Sequence, residues 1–140
     1  MIKFTIGITP VSKKNSQRIL RYGGIYGKPF IAPSTKYQEY EKASMPFCPK
    51  SGIDYPVNIK AIFHMPTRRR VDLTNLLEAL DDVLRIHGTI KDDSAQSPAI
   101  VVSHDGSRVI YDKNNGKTEV EISKSEEVSD KFFQKTEQKV

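Results

Sequence analysis

Arg68-Arg69-Arg70, Asp72 and Lys91-Asp92-Asp93 are the residues whose types and spacing suit work on a phosphodiester. Carboxylates that converge can hold Mg²⁺ through oxygen, and that ion keeps several of its waters. Such an ion polarises the phosphate, lowers the pKa of a bound water and stabilises the leaving oxygen. Arginines beside it neutralise charge that spreads over the phosphoryl oxygens. Each feature also has an ordinary structural reading: Asp72 as a helix N-cap, Asp92-Asp93 as a loop turn, the arginines as a solvated loop. Composition and spacing by themselves give a nucleic-acid-binding domain and no more.

For Asp72 and Asp93 to meet, the chain between them must go out and return. Leu73, Leu76, Leu77, Leu80 and Leu84 recur at helical spacing, with Asn75, Glu78 and Asp82 on the other face. That spacing predicts a helix from 72 to about 85. Asp72 stands at its N-cap and Gly88 where a C-cap glycine belongs. If the helix runs back beside the strand before it, Asp72 and Asp93 come to one end of a sheet. The strand itself is the clearest in the sequence: Val57, Ile59, Ala61, Phe63 and Met65 alternate between Pro56 and Pro66.

Ile2, Phe4, Ile6 and Ile8 alternate in the same way until Pro10. Gly23-Gly24 and Gly27 mark residues 18–31 as a hairpin or an irregular excursion. Pro33-Ser34-Thr35 offers a start for a helix over 35–44. Further strands are expected over 99–103 and 108–111, around Asp105-Gly106, and over 117–122 after the turn Asn114-Asn115-Gly116. The expected fold class is α+β: a small mixed sheet with helices packed on one face, in two layers. One domain over 1–123 is followed by a charged tail, 124–140, either a helix carrying Phe132 and Phe133 or mobile.

With 140 residues the chain suits a single core. No apolar run approaches the roughly 20 residues that cross a bilayer. The start has no uninterrupted apolar stretch of the signal-peptide kind. The single cysteine, Cys48, excludes an internal disulfide framework and makes no zinc site by itself. It is read as a small apolar packing group, and an intracellular, cytoplasmic protein is expected. Net charge is +5, and its distribution says more than its sum. Lys3, Lys13, Lys14, Arg18, Arg21, Lys28 and Lys36 precede the first acid. A polyanion partner would use such a basic first third, which is otherwise a solvated face. Lys13, Lys14 and Asn15 form a basic loop with a short amide, suited to phosphate oxygens. Tyr22 and Tyr26 suit base stacking or the folding of the glycine-rich loop. His64, His87 and His104 share no zinc-like spacing and read as structural or exposed.

The string Met65-Pro66-Thr67-Arg68-Arg69-Arg70-Val71-Asp72-Leu73-Thr74-Asn75-Leu76, followed after one helix by Asp92-Asp93-Ser94-Ala95-Gln96, resembles the RusA family of Holliday junction resolvases. The opening is also similar: Pro10-Val11-Ser12-Lys13-Lys14-Asn15-Ser16, then Pro29-Phe30-Ile31-Ala32-Pro33-Ser34. The likeness runs from about Ile2 to Ile122. It implies a small homodimer, often of prophage origin, that binds four-way junctions and nicks two strands symmetrically with Mg²⁺ or Mn²⁺ in DNA recombination and repair. By position, Asp72 and Asp93 would be the metal ligands and Asp92 an adjacent candidate. Asp82 matches the acid on the family's helix, and Arg70 would face DNA with Arg68 and Arg69.

Two positions depart from the family pattern. Thr74 stands where some members have aspartate, although threonine also occurs, and Glu78 stands where lysine is usual. Four residues apart, they share one helical face. Glu78 either supplies, one turn later, charge missing at Thr74, or marks a catalytically weak or inactive copy. The alternatives to a nuclease are accordingly a branched-DNA-binding protein of phage origin that does not cut, and a phage structural or assembly protein with no preference for branches.

Overall fold

A computed structural model describes residues 1–12, 18–20, 30–32, 35–91 and 100–125. The element order is β1 (Ile2–Ile6), β2 (Arg18–Leu20), β3 (Phe30–Ala32), α1 (Thr35–Ser44), a 3₁₀ turn (Met45–Phe47), β4 (Val57–Met65), α2 (Leu73–Ile86), β5 (Val101–Ser103), β6 (Arg108–Tyr111) and β7 (Lys117–Lys124). The chain is an α+β fold built on a mixed five-stranded sheet, with β2 and β3 forming a separate antiparallel pair. That pair falls within residues 18–31, expected as a hairpin or an irregular excursion, and runs on to Ala32, while the connection over 21–29 lies outside the described residues.

β4 is the axis of the sheet. One edge pairs antiparallel with β7, which pairs antiparallel with β1. The other edge carries two short parallel strands end to end, β5 beside Val57 and β6 beside Met65. Strand alternation then sorts the side chains. Val57, Ile59, Ala61, Phe63 and Met65 turn inward, as do Val120 and Ile122 of β7 and Ile6 of β1, all buried. The opposite face is polar: Lys3, Glu121 and Lys60 stand side by side across three strands, with Glu121 3.5 Å from Lys3 and 3.9 Å from Lys60.

Both helices cover the inward face, so two layers enclose one core. On α2, Leu76, Ala79, Leu80, Val83 and Leu84 are all at most 2% exposed, the i, i+3, i+4, i+7, i+8 stripe of a helix laid on a sheet. Burying each leucine is worth roughly 1.5–3 kcal/mol. α1 contributes Tyr37, Tyr40 and Ser44. His87, at the end of α2, donates through Nε2 to the carbonyl of Glu41 on α1 at 2.6 Å. Cys48 is buried in the same core, and desolvation pushes its thiol pKa up to about 11. No helix among the described residues is long and apolar enough to cross a membrane.

Two strand ends differ from the alternation in the sequence. β1 stops at Ile6 although Ile8 continues the pattern, because Ile6 pairs with Thr118 and the partner strand begins one residue earlier, at Lys117. β7 runs to Lys124, beyond 122, because Val57 and Asn58 at the start of β4 offer it partners. Ser125 then donates its backbone N–H to Pro56.

Candidate functional site

Pro66 ends β4, and residues Thr67, Arg68, Arg69 and Arg70 follow with their side chains exposed. The chain enters α2 at Asp72, whose extended backbone (φ −99°, ψ 122°) and side chain make it the N-cap. Asp72 Oδ1 accepts from the backbone N–H of Thr74 at 2.8 Å, satisfying a donor that the first helical turn leaves without a partner. The cap engages one oxygen of an exposed carboxylate.

A cleft of about 1100 Å³ opens here. One wall is Thr9, Pro10, Val11 and Ser12, the exit of β1, and the other is the connection from Met65 to Leu76. Arg69, Arg70 and Lys36 of α1 line it with Asp72. Among the described residues, three cations surround one carboxylate and make the cleft lining electropositive, the condition for holding an anionic backbone. In the sequence, Lys36 stands only as one of many basic residues. It reaches the cleft because α1 packs beside the β4–α2 connection, a contact between residues more than thirty apart.

Arg68 turns the other way. Its guanidinium carbon lies 4.2 Å from the ring centroid of Tyr111, the last residue of β6. The backbone beneath is tied down, with Asp112 N–H donating to Met65 at 2.8 Å and Asn114 N–H to Pro66 at 3.3 Å. His64, pointing out of the polar face of β4, adds a side-chain tie through Nδ1 to Asp112 Oδ2 at 2.9 Å. Its Nε2 lies 3.4 Å from Glu119 Oε2, within ion-pair range but outside hydrogen-bond geometry. The bond from His64, joined by one from Asn115, holds the Asp112 carboxyl below the usual carboxylate range.

Among the described residues, Asp72 is the one expected acid that lines the cleft. Thr74 and Glu78 both stand exposed on α2, outside its lining. Asp82 is half-buried and accepts from Arg85 at 3.4 Å. Asp92 and Asp93 lie outside the described residues, as do Lys13, Lys14, Asn15, Tyr22 and Tyr26. Among the described residues, no group of three His, Cys, Asp or Glu side chains is placed to hold a metal ion.

Asp81, next to Asp82, is the buried acid that helical spacing did not single out. His104, in the turn after β5, meets it with Nε2 2.9 Å from Oδ2 and 3.1 Å from Oδ1. The Asp81 hydrogen bond raises the His104 pKa above its ordinary value, against the opposing pull of desolvation. His64, His87 and His104 thus each make a tertiary contact, in keeping with a structural role. The chain matches no family model, and no curated protein matches it.

Proposed function

We propose that the chain is a divalent-metal-dependent endodeoxyribonuclease that resolves Holliday junctions by paired, symmetric nicking, acting as a homodimer. The observation that carries this reading is the cleft at the β4–α2 connection, where Arg69, Arg70 and Lys36 surround Asp72. The cations suit phosphate contacts. An exposed carboxylate among them works against phosphate unless a cation intervenes. The motif around Asp72, with its resemblance to RusA resolvases, supplies the rest of the ligand set: Asp93, with Asp92 adjacent. Of these, the described residues contribute one ligand, Asp72, with its second oxygen left over from capping. Mg²⁺ or Mn²⁺, when bound, would supply Lewis acidity and an acidified water. Arg69 and Arg70 hold the phosphate in place. A two-fold dimer would set two such clefts against opposed strands, the geometry that junction resolution requires.

The test is a labelled four-way junction and a matched linear duplex, incubated with Mg²⁺, Mn²⁺ or chelator, using wild type, Asp72→Asn and Asp93→Asn. Paired metal-dependent nicks on the junction, absent in both variants, are expected. Cutting that persists in chelator, or in both variants, would sink the reading. A second reading, a branched-DNA-binding protein that does not cut, draws on Thr74 and Glu78: among the described residues the cleft lining holds one acid, the Asp72 cap itself. Tight junction binding in chelator with no nicks in Mg²⁺ supports it, and Glu78→Lys is then the first reversion to make.

A further inference from the structure

We propose that Arg68 and Tyr111 form a stacking platform for an unpaired DNA base, beside the cleft that takes the backbone; this rests on the nuclease reading above. The connection between β4 and α2 is a ridge with a depression on each side. On one side lies the cleft with Asp72 and Lys36. On the other lies a shallower depression of about 280 Å³, walled by Val109, Ile110 and Tyr111 of β6. The two share Met65, Thr67, Arg69, Arg70 and Val71, whereas Arg68 and Tyr111 belong to the second alone. A phosphate held by Arg69 and Arg70 therefore has an aromatic surface within reach across the ridge.

The platform is presented on a fixed base. Tyr111 pairs with Met65 in the β4–β6 ladder. Asp112, next in the chain, bonds both the Met65 carbonyl and the ring of His64. Tyr111 is nevertheless 43% exposed, so part of it stays open to a partner. Arginine planes and tyrosine rings are the surfaces on which proteins stack unpaired bases, whatever the sequence. A continuous duplex keeps its bases paired inside. At a branch point they can be splayed out, so a platform here favours branched over linear DNA without reading sequence. The competing account is a cation–π pair that only steadies the arginine loop. It predicts no selective effect on branched DNA.

The experiment places 2-aminopurine at the branch point of a four-way junction and follows its fluorescence in chelator, so that no strand is cut. The full chain is used as wild type, Tyr111→Phe and Tyr111→Leu, with melting curves to check folding. Wild type and Tyr111→Phe are expected to quench the probe and to prefer the junction over a matched duplex. Tyr111→Leu should lose the quench and about ten-fold in junction affinity, with duplex affinity unchanged. Quench and preference retained in Tyr111→Leu, or equal losses on junction and duplex, overturn the platform and leave the nuclease reading standing. A wild-type protein with no junction preference overturns both. Should Tyr111→Leu fail to fold, photocrosslinking of wild type to 5-iododeoxyuridine at the branch point decides. An adduct on Tyr111 is expected, and adducts only elsewhere overturn the platform.

Discussion

The two ends of α2 are finished in opposite ways. At the C-terminal end, Gly88 takes a left-handed φ of 78° and its N–H donates to Arg85, while Thr89 N–H donates to Leu84 at 2.9 Å. This Schellman closure satisfies carbonyls the helix would otherwise leave open. Ser51, Gly52 and Ile53 bond onto the same turn, and Thr89 and Ile90 are fully buried. At the N-terminal end, one exposed carboxylate caps the helix, and three arginines stand in water beside a cleft. The closed end consists of groups the fold needs. The open end retains a set of cations whose presence stability does not explain, around an acid where asparagine would cap as well, and the proposed function draws on that surplus.

Substitutions can break this contrast, and the largest effect belongs to the closed end. Leu84→Ala, at a site that is 0% exposed, should cost about 3 kcal/mol in chemical denaturation. It should leave the DNA-binding salt dependence alone. Asp72→Asn reverses the pattern. Asparagine caps about as well as aspartate, so stability should stay within a few tenths of a kcal/mol. Metal-dependent cleavage should fall by at least about a hundred-fold, the scale that even indirect metal partners command. A stable, fully active Asp72→Asn would dissolve the distinction between the two ends.

Gly88→Ala should cost about 1 kcal/mol from backbone conformation alone, since a Cβ there would meet nothing within 4 Å. A much larger loss would show that the closed end depends on packing that this geometry does not contain. Asp72→Ala, by losing the cap, should cost a similar amount. The smallest effect is expected where His104, after β5, meets Asp81 midway along α2. Because the His104 pKa is raised on folding, its stabilisation is complete below the unfolded histidine value of about 6.5 and fades as pH rises through the raised value. The melting-temperature advantage of wild type over Asp81→Asn should therefore shrink between mildly acid and alkaline pH. An advantage that grew with pH would refute the assignment.

Local pattern was enough for α2, β4, β6 and the Asp72 cap, because a helical stripe, a period-2 run and a capping carboxylate are written in consecutive residues. What pattern could not supply was pairing across distance. Asp81 reads as a surface acid until His104, 23 residues on, arrives to compensate its burial. Lys36 and Tyr111 reach the arginine ridge from α1 and β6, elements whose own periodicity is silent about neighbours. The placing of β5 and β6 on a single edge of β4 is likewise a decision of the folded chain. Thr74 and Glu78 were legible as a helical pair, yet not as a pair standing outside the cleft lining.

That shared edge has a consequence for how the protein survives at high concentration. A long, flat outer strand is a template onto which other chains add, and edge-to-edge growth of that kind leads to aggregation. Beyond β4, among the described residues, the sheet offers only a three-residue and a four-residue strand, broken by the turn at Asp105-Gly106 and flanked by the exposed charge of Arg108. Neither piece is long enough to seed a ladder. Joining β5 and β6 into one uninterrupted strand would create that template and make the fold prone to clump.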